Sequence, residues 1–346
     1  MAGERVRGDR RAPGEPMAQV VYLERAVRLR RENAAATVTP HRRTWRPHTM
    51  FYLGLVGLAG ALLADPTGSA RELCGAWLVP TLGWVAGHYG ADYLDREFDA
   101  VAKRHRPVSS DWMRPVTGLV GMVVCTSAGG MLAVALNWRT APLLAAMLVG
   151  GVAYNVLFRA RGPAENLTRG GLTAFALLFG AMAVRPYPPA ALLVVAAVFL
   201  LHDTATNLVG ALRDVDGDRG SGYRTFPVRH GVTATLTVVT VLCPLWSVLA
   251  AVAPWLLGGR AAGRPVFWGM LGAASVLATA AVVMLVRVGR RLSPRQALHA
   301  HELLTLERLV LACAFVGLAV GLPVALALLV PAGALNGLLS VSMRSG

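Results

Sequence analysis

Five aspartates occupy two short stretches of the sequence at spacings that suit an α-helix. Asp92, Asp95 and Asp99 stand at i, i+3 and i+7, and Asp214 and Asp218 stand at i and i+4, so each set falls on one helical face. Carboxylates gathered in this way repel one another and take up protons unless a cation neutralises them. Because oxygen ligands suit a hard cation, the spacing predicts that Mg²⁺ bridges these carboxylates to a diphosphate. The alternative is that each stretch is a solvated helix end paired with arginines.

Basic residues accompany both aspartate stretches. They follow the first stretch and surround the second: Lys103, Arg104, Arg106, Arg213, Arg224 and Arg229. Arginine and lysine donate hydrogen bonds to phosphate oxygens and stabilise a departing diphosphate. A single arginine at such a position is more typical of a topology determinant. The set beside the carboxylates favours a metal–diphosphate site.

The elements that must position these residues are membrane-spanning helices. Of the 346 residues, 55% are hydrophobic and only 15% are charged. Apolar runs recur at the length needed to cross a hydrocarbon core of about 30 Å. A helix hydrogen-bonds its backbone polar groups within one segment. The alternation of apolar and polar residues that a transmembrane β-barrel needs is missing from the sequence. The sequence therefore predicts an all-α membrane protein with nine transmembrane helices, near 49–65, 73–90, 115–137, 141–158, 170–185, 188–206, 232–256, 266–288 and 308–330.

The basic residues are distributed unequally over the predicted loops. If the amino terminus is cytoplasmic, 28 of the 34 basic residues lie on the cytoplasmic side. Cytoplasmic loops of membrane proteins carry an excess of arginine and lysine. We therefore expect a multi-pass protein of the cell membrane with its amino terminus and both aspartate stretches in the cytoplasm and its carboxyl terminus outside. The predicted domains are a cytosolic basic arm (1–48), a catalytic membrane domain (49–330) and a short extracytoplasmic tail (331–346).

The net charge of +15 does not indicate nucleic-acid binding. The basic residues are dispersed among short loops between apolar runs and form no continuous patch, so we expect no nucleic-acid partner. The lipid bilayer is the expected surrounding of the chain.

The two aspartate stretches resemble the motifs of the UbiA superfamily of intramembrane prenyltransferases. The first family motif, NDxxDxxxD with a following basic stretch that ends in RPxxS, corresponds to residues 91–99 and 103–109. The second, DxxxD with glycine and a threonine-containing segment after it, corresponds to residues 214–218 and 222–231. The resemblance extends over nearly everything from residue 46 to residue 330.

This resemblance implies a nine-helix bundle with a cavity on the cytoplasmic side that opens sideways to lipid. It implies a prenyl diphosphate as substrate and Mg²⁺ as cofactor, with Asp92, Asp95, Asp99, Asp214 and Asp218 as the metal ligands. The carbon–oxygen bond would ionise to an allylic cation, which an electron-rich acceptor captures. Further residues that the resemblance suggests for substrate binding are Arg46, Lys103, Arg106, Tyr154 and Arg159.

Two positions depart from the family pattern. Ala91 replaces the asparagine that opens the first motif, and Asn207 stands where hydroxybenzoate-type members tend to have aspartate. Asn207 lies two helical turns before Asp214 on the same face, so we expect it to line the cavity and to contact the acceptor, although it cannot act as a carboxylate base. The departures leave open a quinone-precursor acceptor, a specialised aromatic acceptor, or none.

The leading functional hypothesis is transfer of a prenyl group to a small aromatic or quinone-precursor acceptor within the membrane. An alternative on the same site is a UbiA-type terpene synthase, a terpene cyclase that closes the prenyl chain on itself. An isoprenoid-binding or transport protein is a more remote alternative, because the charged residues are predicted at helix ends and not at the middle of the bilayer.

Overall fold

The computed structural model describes residues 39–102, 106–153, 157, 162–258 and 264–344, and most of these residues are helical. The longer helices pack side by side as a bundle, and two short ones follow the third and eighth helices. The helices are α1 (Thr39–Trp45), α2 (Pro47–Ala64), α3 (Ala70–Leu94), α4 (Arg96–Ala102), α5 (Pro115–Leu136), α6 (Ala141–Ala153), α7 (Pro163–Val184), α8 (Leu192–Arg213), α9 (Val215–Gly220), α10 (Phe226–Leu256), α11 (Arg264–Val288), α12 (Pro294–Val320) and α13 (Leu322–Arg344).

The all-helical membrane fold is confirmed, and eight of the nine predicted spans each overlap one helix. Within the described residues, six helices are long and apolar enough to cross a membrane, and a seventh span results if α1 and α2, which meet at 46°, count as one. Two shorter apolar helices cover Trp138–Ala153 and Leu322–Leu338. The chain is a multi-pass membrane protein, but these criteria do not confirm the number nine.

The ninth predicted span, 308–330, does not form one helix. Helix α12 begins at Pro294, where Ser293 and Gln296 form a capping box, and it ends at Val320. Gly321 then adopts a φ of 89°, a region that side-chain-bearing residues avoid, and α13 begins. The predicted boundary at 330 therefore falls inside α13, and residues 331–344 are helical. Hydropathy missed the break because the apolar run continues across Gly321.

Several arginines that the charge count places in cytoplasmic loops are helical, and two of them lie more than one turn from either end of a long helix. Arg169 is in α7, and Arg308 is in α12, fourteen residues after its first residue. Arg308 is buried, with 6% of its surface exposed. The expectation that charges occupy only helix ends is thus wrong for these two side chains.

Glycines let α2 pack closely against α7. A Cβ atom built on Gly180 would lie 1.8 Å from the carbonyl oxygen of Gly57, and one built on Gly60 would lie 2.0 Å from that of Leu177. Small residues allow such close backbone approach between membrane helices, where dispersion contacts replace the hydrophobic effect. Helix α2 also packs against α3, which carries the first aspartate stretch at its end.

We predict that Gly180→Ala destabilises the protein, because the added methyl group must separate α2 from α7. Overpacking of this kind typically costs about 1–3 kcal/mol. Gly171→Ala in the same helix is the matched control, since nothing lies within 4 Å of its built Cβ atom. Thermal unfolding in detergent should show a lower Tm for Gly180→Ala only; equal Tm values for the two variants would contradict the close contact.

Candidate active site

A cavity of about 740 Å³ lies among helices α2, α3, α5, α6, α7, α8 and α12. Helices α3, α5 and α6 contribute mainly small and apolar side chains, among them Gly83, Gly87, Met122, Gly130, Leu148 and Val152. Helices α7, α8 and α12 contribute most of the polar ones, among them Thr173, Asp203, Thr206, Asn207, His301 and Arg308. The cavity therefore has an apolar wall and a polar wall.

The first aspartate stretch lies at the end of α3. Asp92, Asp95 and Asp99 are each at most 4% exposed, and Asp95 separates α3 from the short helix α4. One guanidinium nitrogen of Arg106 lies 3.3 Å from Asp92 Oδ1 and 3.0 Å from Asp99 Oδ2. Arg106 thus brings two of the predicted ligands together, and its positive charge offsets the repulsion between them. Thr44 Oγ1 donates a 2.7 Å hydrogen bond to the other oxygen of Asp92.

The second aspartate stretch lies where α8 gives way to α9. Asp214 follows the last residue of α8 and receives two hydrogen bonds from the guanidinium of Arg213, at 2.7 and 2.8 Å. Asp218 is buried, and both aspartates line the cavity. Because α4 contacts α9, the two stretches meet at the same end of the bundle, as the sequence predicted.

The donor set at this end of the bundle suits Mg²⁺. Across the part of the chain that is described, no group of three or more His, Cys, Asp or Glu side chains is arranged to hold a metal ion by itself. Mg²⁺ usually takes only one or two carboxylates and completes its shell with water and substrate phosphates. Asp99 on α4 and Asp218 on α9, two short helices in contact, fit such a shared metal–diphosphate site, with Arg106 and Arg213 beside the two stretches.

The predicted substrate-binding residues divide into two groups. Arg46, Arg106 and Asn207 line the cavity, whereas Lys103, Tyr154 and Arg159 lie outside the described residues. Arg46 connects α1 to α2 with a φ of 47°, a left-handed conformation that is uncommon for a residue with a side chain. The Asn207 amide donates a 2.8 Å hydrogen bond to Asn166 Oδ1, which fixes its orientation on the polar wall. Its contact with an acceptor stays a prediction.

Helix α1 contributes a contact that sequence reasoning missed. Residues 39–48 were assigned to the cytosolic arm, yet Thr44 is 1% exposed and binds Asp92. His41 and Trp45 each make a 2.7 Å hydrogen bond with the hydroxyl of Tyr89, one turn before Asp92. No local pattern could reveal these pairs, because the partners are 44 to 48 residues apart.

A buried polar network extends the polar wall into the bundle. Asp203 accepts hydrogen bonds from Tyr52, at 3.0 Å, and from Thr173. His202 lies 3.3 Å from Asp203 through Nδ1 and 2.5 Å from Glu307 through Nε2. The sequence pattern had no signal for this network beyond single polar residues in apolar runs. Its side chains offset the cost of burying two carboxylates by hydrogen-bonding them.

These features define a class: a helical membrane protein whose acidic and basic side chains gather at one end of an internal cavity. The sequence matches the UbiA prenyltransferase family over residues 53–304, and the chain belongs to that family. It is therefore a prenyltransferase by family, as the motifs predicted.

Its relatives include archaeal proteins named digeranylgeranylglyceryl phosphate synthase. The one from Natronomonas pharaonis is 30% identical over 62% of this chain and 76% of its own length. The one from Methanopyrus kandleri is 30% identical over 65% of this chain and 82% of its own. Among solved structures, a UbiA homologue from Aeropyrum pernix has a TM-score of 0.67 at 16% identity, over 78% of this chain and 97% of its own.

A second solved structure is a UbiA homologue from Archaeoglobus fulgidus bound to DMAPP and Mg²⁺. It has a TM-score of 0.60 at 15% identity and covers 81% of this chain and 99% of its own. At this identity the two structural matches establish that the fold is shared.

We predict that Thr44→Val lowers kcat/KM for prenyl transfer by about 10-fold or more, because a hydrogen bond to a charged group contributes roughly 1.5–3 kcal/mol. Thr44→Ser keeps the hydroxyl and should stay near wild type. Thr237→Val, on the exposed face of α10, is the control for loss of a threonine hydroxyl. Full activity of Thr44→Val would show that Asp92 does not need this hydrogen bond.

Proposed function

We propose that this protein ionises a polyprenyl diphosphate with Mg²⁺ inside the membrane and transfers the prenyl group to a small polar acceptor. The observation that carries the proposal is the meeting of the two aspartate stretches at one end of the bundle, next to a cavity whose lining includes Asp214, Asp218 and several arginines. Two findings support the proposal. The relatives are named for a glyceryl phosphate that carries prenyl groups. The A. fulgidus homologue is bound to DMAPP and Mg²⁺.

The residues at the aspartate-bearing end of the bundle have complementary tasks in this reaction. Asp92, Asp95, Asp99, Asp214 and Asp218 would hold Mg²⁺, which supplies positive charge that stabilises the diphosphate as a leaving group. The guanidinium groups in the lining are placed to donate to phosphate oxygens as charge develops on them. The carbon–oxygen bond breaks with its electron pair on the diphosphate, and the allylic cation is left against the apolar wall.

The polar wall favours transfer over cyclisation. A cyclase needs an apolar, water-free enclosure, because water quenches the cation to an alcohol. Thr206, Asn207 and Asp203 instead line the cavity with hydrogen-bonding groups. An aromatic or quinone-precursor acceptor and a glyceryl phosphate both have polar groups for this wall. The acceptor attacks the cation at C1, a new bond forms, and the acceptor loses its proton.

We expect product analysis with purified protein in nanodiscs to separate these reactions. Prenyl diphosphate and Mg²⁺ should yield a prenylated product only when an aromatic or a glyceryl phosphate acceptor is added, and EDTA should abolish the reaction. If diphosphate is released at full rate without an acceptor and the products are cyclic hydrocarbons, the transfer proposal is wrong. The protein would then be a terpene synthase.

In the same assay, Asp92→Asn and Asp218→Asn should each lower the rate by a factor on the order of 10² to 10⁴, because each removes charge from the metal–diphosphate site. Matched controls are Glu97→Gln beside the first stretch and Asp216→Asn within the second, since both side chains are exposed. Near-normal turnover by Asp218→Asn would remove the second stretch from the mechanism.

We further propose a cytoplasmic amino terminus, with the aspartate-bearing end of the bundle on the cytoplasmic side, from the distribution of basic residues. In a cysteine-free background, Asp216→Cys should resist a membrane-impermeant thiol reagent applied to intact cells, and labelling there would overturn this orientation. The predicted extracytoplasmic carboxyl terminus requires that Gly346→Cys is labelled. Protection of that cysteine would show that α13 crosses the membrane as a further span.

A further inference from the structure

Helix α1 carries side chains to the aspartate-bearing end of the bundle. Thr44 donates its 2.7 Å hydrogen bond to Asp92. Arg46, the residue that follows α1, lines the cavity and interacts electrostatically with Asp92 and Arg106. Its left-handed backbone lies between α1 and α2, which meet at 46°. Because α1 does not continue the axis of α2, other contacts must hold it in place.

Tyr89 of α3 provides the closest of these contacts. Its hydroxyl oxygen lies 2.7 Å from Nε1 of Trp45 and 2.7 Å from Nδ1 of His41. An indole N–H can only donate, so the phenol oxygen accepts from Trp45 and its own hydrogen is available to His41. Since His41 and Trp45 are one helical turn apart, a single hydroxyl fixes one face of α1.

The ring of Tyr89 is itself firmly held. It is only 4% exposed and packs in a small apolar cluster with Val85, Val108 and Met113. A Cβ atom built on Gly121 of α5 would lie 2.9 Å from the ring, so the ring rests directly against that helix. Helices α3 and α5 therefore determine where the hydroxyl lies, and the hydroxyl determines where α1 lies.

A second contact of α1 is weaker. The guanidinium of Arg43 lies 4.2 Å from the ring centroid of Trp112, in the segment that follows the first aspartate stretch. Trp112 is 50% exposed, and cation–π contacts contribute least at exposed sites. The buried tyrosine is therefore the main anchor of α1 among these contacts.

We propose that Tyr89 is a positioning residue for the donor: its hydroxyl fixes α1, and α1 in turn holds Thr44 against Asp92 and Arg46 in the cavity lining. This inference rests on the proposed function, in which Asp92 helps to hold Mg²⁺ and the diphosphate. Tyr89 is not among the described residues that line the cavity. It acts through α1 and not by touching the substrate.

Equilibrium binding of geranyl S-thiolodiphosphate, a donor analogue that ionises poorly, tests this role with purified protein in nanodiscs at varied Mg²⁺ concentration. Tyr89→Phe keeps the ring and removes both hydrogen bonds, so the Kd of the analogue should rise about tenfold. The half-saturating Mg²⁺ concentration should rise as well, because Asp92 is held less well. Trp45→Phe removes one of the two bonds from the partly exposed side and should raise the Kd about threefold.

Combining two variants tests the route from Tyr89 to Asp92. If Tyr89 acts through α1, Tyr89→Phe together with Thr44→Val should weaken binding by clearly less than the product of the two single losses, because residues in one hydrogen-bonded network are not additive. A loss equal to that product would show that Tyr89 and Thr44 act independently, and would overturn the proposal.

Tyr93→Phe is the matched control on the same helix. The Tyr93 ring contacts Arg96, and its hydroxyl has no hydrogen bond within the described residues, so its Kd and Mg²⁺ requirement should stay within about twofold of wild type. Unchanged binding by Tyr89→Phe would overturn the proposal, and so would a lower Tm with an unchanged Mg²⁺ requirement, which indicates a purely structural role. If wild type itself does not bind the analogue with Mg²⁺, the proposed donor site is wrong, and the role of Tyr89 with it.

Discussion

The structure depends on how charged side chains are held in a medium that solvates them poorly. Asp92 and Asp99 are almost completely buried, and one guanidinium, that of Arg106, lies within 3.3 Å of both. A buried carboxylate pair without such a partner would be forced toward its protonated form. Arg213 holds Asp214 in a comparable way. These pairs hold acidic and basic side chains together at the end of the bundle where we propose that a metal and a diphosphate bind.

The same constraint acts deeper in the bundle. There the carboxylates of Asp203 and Glu307 are hydrogen-bonded within a network, and the guanidinium of Arg308 rests against the ring of Tyr52. The cavity consequently has two charged levels joined by a polar wall. An apolar wall on the other helices leaves room for a hydrocarbon chain beside them.

Helix packing maintains this separation of walls. Close approach of α2 and α7 at Gly57 and Gly180 brings Tyr52 and Thr173 to the same carboxylate of Asp203. At the other end of α2, the preceding helix α1 folds over the first aspartate stretch through Thr44. The site is therefore assembled by helices that are distant in sequence, and its precision follows from their packing.

The sequence by itself determined the all-helical membrane class and the two aspartate stretches, because hydropathy and helical spacing are local properties. The meeting of the two stretches was inferred from the side of the membrane that they share and from the family resemblance, and the contact of α4 with α9 agrees with it. It also indicated that Asn207 shares a face with Asp214. Only the tertiary structure decided that Arg308 lies in a helix interior, because a hydropathy average assigns a charge to the nearest loop. The break at Gly321 and the bond from Thr44 to Asp92 likewise depend on backbone conformation and on contacts between distant segments, which no local pattern contains.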